Sequence, residues 1–291
     1  MEDYLIRIIA KETGVRGLAC ITTNLANEAA DRHETTATTT VVLERTLTSG
    51  LLAGALLKVG QRVALKFEGD GPIGKAVAEA DAYGRVRGYV LHPEIDLPLV
   101  EGKADIVEAL GVLGSLSVVK DVKLDKMPEG VVPLISSTFD GDLTYYLNQS
   151  EQTPSLVVIG EILDENGRLQ VSGGVLIQAM PPNDVTIIRD FIERMQELPP
   201  LEAMLGEGKT PEEILALLFA GIEYEELEKR PLRFECSCSR ERSEKALLNL
   251  GRADLQDLLE TDGEATIDCH FCHEQYVFDE EDLRLILASV R

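Results

Sequence analysis

Apolar and polar positions along the chain switch between two periods. Val63-Ala64-Leu65-Lys66-Phe67 alternates, the mark of a strand with one buried face. Residues 75–80 and 85–90 form two further strands around a turn at Tyr83-Gly84, and strands are expected at 116–119, 156–163 and 174–179. Asn166-Gly167 between the last two is a hairpin signal. Residues 35–44 are rich in Thr and Val, and apolar residues then crowd through 47–57 with Gly and Ala, which predicts a buried helix there. Val185, Ile188, Phe191, Ile192, Met195 and Leu198 recur at helical spacing. A second helix is expected from Thr210, with Pro211 at its first position and Glu213 completing a capping box. Near the C-terminus, Ser239 caps a helix running to about Leu250 and closed by Gly251, and a short helix covers 253–259. Ala265–Asp268 and Gln275–Phe278 form a hairpin, and Asp279 caps a last helix with Leu283, Ile286 and Leu287 inward.

These 291 residues suffice for one large domain or two to three smaller ones. Apolar and charged fractions of 44% and 27% are ordinary for a globular protein. The charge balance is not: 51 acids against 28 bases leave −23. Residues 1–180 hold 25 acids and 16 bases, 181–230 hold 12 and 5, and 231–291 hold 14 and 7, so positions 181–291 carry −14 of the total. Such a surface repels phosphate, and with no Trp and 5% aromatics it offers little for stacking on bases, so a nucleic-acid partner is not expected. Composition shifts near Pro181-Pro182, and six prolines fall within 181–231. The expected organisation is α+β: a mixed N-terminal body at 1–180, a helical linker at 181–231 and a small C-terminal module at 232–291. Met1-Glu2-Asp3-Tyr4 lacks the basic start of a secretory signal, and the apolar stretch at 51–57 is too short to span a bilayer. A cytoplasmic, reducing location without membrane association is therefore expected, where clustered cysteines serve as metal ligands or redox centres.

Several motifs invite other readings. Gly69-Asp70-Gly71-Pro72-Ile73-Gly74 matches a dinucleotide fingerprint, but a strand rather than a helix is expected next, so a tight turn is the better account. Gly206-Glu207-Gly208-Lys209-Thr210 resembles the end of a phosphate loop, yet its first glycine is replaced by Ala203 and acids surround it, so no nucleotide is expected. Cys269-His270-Phe271-Cys272-His273 fits a haem-attachment pattern that ignores the other cysteine pair. No catalytic triad is visible, and the chain reads as a non-enzyme. His33 and His92 are expected at the surface, and Cys20, in an apolar setting, as a buried side chain.

The remaining cysteines form Cys236-x-Cys238 and Cys269-x-x-Cys272, with positions 239–268 between the pairs. Two close pairs around a small folded insert are a zinc signature, because each pair brings two sulfurs toward one tetrahedron. Cys236, Cys238, Cys269 and Cys272 are the expected ligands of one Zn2+, with His270 and His273 outside the ligand set. The site serves structure alone on one reading. On another it is a redox switch, since either pair is close enough to form an internal disulfide and zinc-bound sulfur is the thiolate that oxidants attack. A thiol oxidoreductase using Cys269-x-x-Cys272 and a zinc-ribbon interaction module are the alternatives.

Phe234-x-Cys236-x-Cys238-Ser239-Arg240-Glu241-Arg242, followed by Cys269-x-Phe271-Cys272 and Tyr276-x-Phe278, closely resembles the redox-regulated heat shock protein 33 family of bacterial chaperones. The likeness extends to Gly69-Asp70-Gly71-Pro72-Ile73-Gly74, Tyr146-x-x-x-Ser150-Glu151-Gln152 and Gly173-Gly174-x-Leu176-x-Gln178. The resemblance implies a holdase that works without ATP, inactive while reduced and zinc-bound. It implies that oxidation joins Cys236 to Cys238 and Cys269 to Cys272, releases zinc and unfolds the redox domain and linker. The oxidised form would dimerise and hold unfolding client proteins in a stress response. No role is carried to Cys20.

Overall fold

The computed structural model describes residues 2–123, 127–181 and 185–289. The fold is α+β, and the chain divides into two compact units, 1–235 and 236–291. Pro182, where composition shifts, lies outside the described residues.

The first unit contains two sheets. β1 (Tyr4–Ala10), β2 (Val15–Ile21), β8 (Ser155–Leu163), β9 (Leu169–Ala179) and β10 (Glu225–Pro231) form a five-stranded antiparallel sheet in the order β10-β1-β2-β9-β8. The second holds β3 (Arg62–Gly69), β4 (Lys75–Asp81), β5 (Arg85–Val90), β6 (Gly114–Asp121), β7 (Glu129–Pro133) and β11 (Arg233–Phe234) in the order β11-β5-β4-β3-β6-β7, antiparallel except that β11 runs parallel to β5. Helices α1 (Thr23–His33) and α2 (Ala37–Gly54) follow β2, α3 (Ile106–Leu110) precedes β6, and α4 (Asp140–Gln149) precedes β8. α5 (Val185–Glu197), α6 (Leu201–Gly206) and α7 (Pro211–Leu218) lie between β9 and β10.

Helix α2 packs against β3, β4 and β5 of one sheet and β8 and β9 of the other. Its Thr and Val residues near the start have modest helix propensity, yet the helix begins at Ala37, well before the apolar stretch at 47–57 that predicted it. Burial on every side outweighs that propensity, and Thr36 starts the helix with a reciprocal capping box to Thr39. The inward face of β4 is Ala76, Ala78 and Ala80, all buried. Opposite stand Gly50 and Gly54, where an added Cβ would lie 3.1 Å from the Cβ atoms of Ala78 and Ala80. These small residues on both surfaces set how closely helix and sheet approach.

Two ionisable side chains of α2 enter this core with partners. Thr22 and Thr48 donate to Glu44 Oε1, at 3.3 and 2.8 Å. Arg45 donates to Thr138 O and forms ion pairs with Asp140 and Glu161, joining α2 to α4 and β8. Burial raises the Glu44 carboxyl well above its ordinary pKa, and its Oε2 has no hydrogen-bond partner among the described residues.

The Gly69–Gly74 segment is the tight turn between β3 and β4, followed by a strand rather than a helix. A Cβ at Gly71 would sit 2.4 Å from the Ala109 carbonyl oxygen, so the turn seats directly on α3. Asn166-Gly167 turns β8 into β9 as expected. His33 departs from expectation: it is 4% exposed. Leu25, Ala26, Ala29 and His33 share one helical face, so packing of α1 carries the histidine inward. His92 is half exposed and lies 3.3 Å from Glu94. Cys20 is buried in β2, and burial pushes its thiol up to about 12, leaving it unreactive.

Residues 181–231 contain the helices read from periodicity, with the Thr210, Pro211 and Glu213 cap of α7 as expected. The segment then ends in β10, which pairs with β1 from Tyr4↔Pro231 to Ile9↔Glu225. Glu225-Glu226-Leu227-Glu228-Lys229-Arg230 carries no apolar alternation, because an edge strand facing water needs none. The inward faces of α5, α6 and α7 cover one face of the five-stranded sheet. Phe191, Met204, Leu205, Ile214, Leu215 and Phe219 lie in one cluster with Ile6, Ile8, Val15, Ala19, Val175 and Ile177. Gly17 makes room: a Cβ there would fall 2.8 Å from the Phe219 ring.

The second unit is built from α8 (Arg240–Leu248), α9 (Arg252–Thr261), a hairpin of β12 (Ala265–Asp268) and β13 (Gln275–Phe278), and α10 (Glu280–Ser289). Ser239 caps α8, and Asp279 Oδ1 accepts from Asp282 N at the start of α10. Its core comprises Leu247, Leu255, Ala265, Phe278, Leu283 and Ile286.

Two expectations follow for the first unit. Gly71→Ala should destabilise it by about 2–3 kcal/mol in urea unfolding, because neither the turn nor α3 can yield backbone space cheaply. Glu44 in the folded state keeps its proton above the ordinary value of 4.5. The folded state therefore binds the extra proton, and stability falls as pH rises from the unfolded pKa toward the folded one, by up to about 1.4 kcal/mol per pH unit. Glu44→Gln should flatten this slope in unfolding curves taken between pH 5 and 9.

Candidate metal centre

The cysteines come from two loops of the second unit. Cys236 and Cys238 lie in the extended segment before α8, and Cys269 and Cys272 occupy the turn joining β12 to β13. The hairpin register, Asp268↔Gln275, fixes the second loop. Within it, Cys272 N and His273 N both donate to Cys269 O, and Cys269 N donates to Glu274 O. Backbone N–H groups of Phe271 and Glu274 point at the Cys269 and Cys272 sulfurs. His273 takes a positive φ of 54° to close the turn.

Arginines of the Ser239-Arg240-Glu241-Arg242 motif hold the first loop. Arg242 donates to the Ser237 carbonyl at 2.8 Å and to its hydroxyl at 2.9 Å, gripping the residue between the two cysteines. Arg240 donates to Val277 O, pairs with Asp282 and stacks 4.3 Å above the Phe278 ring. It thus ties the start of α8 to β13 and α10, and the two loops are held facing each other.

All four Sγ atoms lie within 4.8 Å of one another. Cys236 and Cys269 are 3.7 Å apart, and Cys238 and Cys272 are 3.5 Å apart. Four sulfurs at ~2.3 Å from a central ion would stand ~3.8 Å from each other in a tetrahedron, so the set fits a metal of zinc's size and preference. Burial raises the Cys269 and Cys272 thiols above their ordinary pKa, and the Cys236 thiol adds to this at both. Without a cation the cluster therefore favours protonated sulfur; a bound metal would supply the charge that makes four thiolates tolerable.

The histidines lie outside the sulfur cluster. His270 is exposed, and His273 Nδ1 lies 3.0 Å from Asp268 Oδ1. One neighbour that sequence reasoning gave no role is Tyr276, whose hydroxyl donates to Cys238 Sγ at 3.2 Å. Its place in the Tyr276-x-Phe278 stretch was visible, but which sulfur it reaches depends on the fold of the hairpin.

No helix among the described residues is long and apolar enough to cross a membrane. A family model described as Hsp33 protein matches residues 3–279. The chain is 47% identical over 290 residues to the 33 kDa chaperonin of Citrifermentans bemidjiense, covering 100% of this chain and 98% of that one. It is 43% identical over 282 residues to the 33 kDa chaperonin of Bacillus subtilis, with 97% of each covered. A crystal structure of the 33 kDa chaperonin of Thermotoga maritima, a heat shock protein 33 homolog, superposes with a TM-score of 0.91 at 31% identity, covering 99% of this chain and 98% of that one. Sequence, sulfur cluster and fold agree: the chain belongs to the Hsp33 family of chaperones, which are not enzymes.

Proposed function

We propose that this protein is a redox-regulated holdase that works without ATP. The four-sulfur cluster carries the reading: it sits in the small unit 236–291, whose core comprises six buried apolar side chains. Cores of that size rarely sustain a fold unaided. A structural zinc site contributes on the order of 10–16 kcal/mol in small peptides, so Zn2+ on Cys236, Cys238, Cys269 and Cys272 keeps the unit folded in the reduced, inactive state.

Oxidation removes that support. Each molecule of hydrogen peroxide takes two electrons from a cysteine pair and, with two protons, leaves as two waters while a disulfide forms. Cys236 joins Cys238 and Cys269 joins Cys272, and no thiolate is left to hold Zn2+. The second unit unfolds, and the chain leading into it, residues 181–231, loses stability. The apolar faces of α5, α6 and α7, and of the sheet beneath them, then become available to unfolding client proteins and to a second copy of the chain. The acidic character of positions 181–291 suits this role, since self-repulsion keeps unfolded chain in solution. The site of action is the cytoplasm.

The alternatives fare worse. An oxidoreductase working through Cys269-x-x-Cys272 alone gives no role to Cys236 and Cys238, whose sulfurs lie 3.7 and 3.5 Å from those of Cys269 and Cys272. A zinc ribbon that binds nucleic acid needs a basic face, and residues 231–291 hold twice as many acids as bases.

The decisive measurement takes one preparation, reduced and peroxide-oxidised, and follows zinc content and suppression of client aggregation. Zinc near one equivalent with little suppression should give way to little zinc with strong suppression; equal suppression by both forms would overturn the reading. Cys272→Ser should lower zinc affinity by at least about tenfold and expose residues 236–291 to protease without any oxidant.

A further inference from the structure

Tyr276 is a side chain that touches the sulfur cluster from outside the cysteine set. Its residue on β13 pairs with Ile267, its ring packs beside the small core of the second unit, and its hydroxyl donates to Cys238 Sγ at 3.2 Å. The aromatic body needs no hydroxyl to fill that place, since Phe would pack equally well there. The hydroxyl's distinct contribution is a hydrogen bond to one chosen sulfur. Such a bond to an anionic acceptor is stronger than one to a neutral group. It withdraws electron density from the thiolate and makes it a poorer nucleophile.

We propose that Tyr276 is a positioning residue that delays oxidation at Cys238 and so sets the order in which the four sulfurs react. The proposal rests on the redox reading above. In the first step a thiolate attacks one oxygen of a hydroperoxide. An S–O bond forms, the O–O bond breaks, and the leaving oxygen departs as water or alcohol after taking a proton. The pair's second thiolate then attacks the sulfenic sulfur, the S–S bond forms, and hydroxide leaves with a proton as water. The cysteine pair has lost two electrons and the hydroperoxide has gained them. At Cys238 the Tyr276 hydroxyl engages one lone pair of the sulfur and draws charge from the others, which slows its attack. Oxidation therefore begins at another sulfur, and Cys238 follows.

Tyr276→Phe in the full-length, zinc-loaded protein tests this. Zinc release is timed twice, once driven by hydrogen peroxide and once by a chelator, and early sulfenic acid is trapped with a dimedone probe and located by mass spectrometry. The expected result is peroxide-driven release about fivefold faster, with early label on Cys238 raised to match. Chelator-driven release should change by less than about twofold. Equal acceleration of both releases would show a packing role alone and overturn the proposal, as would an unchanged distribution of label. Replacement of Tyr276 by 4-aminophenylalanine keeps a weaker donor on the same ring. It should shift the label in the same direction by less, and it keeps the proposal falsifiable should the phenylalanine variant fail to load zinc. Failure of the redox reading itself looks different: peroxide would then leave zinc and thiols intact in the unmodified protein.

Discussion

Close approach between α2 and its two sheets is the constraint on which the first unit depends. A helix buried on every side has no polar face to orient it, so its position is set by shape. Gly50 and Gly54 against Ala78 and Ala80 let the helix descend onto β4, and Gly174 does the same opposite Thr48 and Leu52. The ionisable groups of α2 that enter this interior come with partners: Arg45 with Asp140 and Glu161, Glu44 with Thr22 and Thr48. With α2 in place, β8 and β9 of the five-stranded sheet have one face already covered. The sheet's other face is the surface that α5, α6 and α7 cover.

The second unit rests on a different kind of support. Its core is small, six buried side chains with partly buried neighbours, and the hairpin and short helices add little by themselves. Four sulfurs drawn within 4.8 Å of one another form a site that could hold a metal, and in the proposed function that metal is the unit's main support. Arg240 and Arg242 are part of that design, since they hold the two loops in register from outside the cluster. Support concentrated at one reactive site can be withdrawn by one chemical event, whereas support spread over a large apolar core is not removed directly by that event. That difference between the two units is the physical basis of the proposed regulation.

Much of the site was legible in the sequence because its signals are local. The spacing of Cys236, Cys238, Cys269 and Cys272, the cap at Ser239 and the strands flanking the second pair each depend on a few neighbouring residues. The cap of α7 at Thr210 was legible for the same reason. The turn at Gly69–Gly74 was recognised as a turn because alternation, not helical periodicity, follows it, although what it seats on could not be read.

Where the reading fell short, long-range packing had decided the outcome. The Thr-rich start of α2 is helical because both sheets enclose it, and His33 is buried because α1 turns that face inward. β10 is a strand because the edge of β1 lies open to receive it; its own acidic residues carry no strand period. The contact of Tyr276 with Cys238 joins residues 38 positions apart. The sequence by itself thus determined the family, the four cysteines that could hold a metal and the elements that carry them, since spacing, capping and periodicity act over a few residues. Only the tertiary structure decided which apolar face the connector covers and which sulfur receives the hydroxyl, because those contacts exist only once distant segments are folded together.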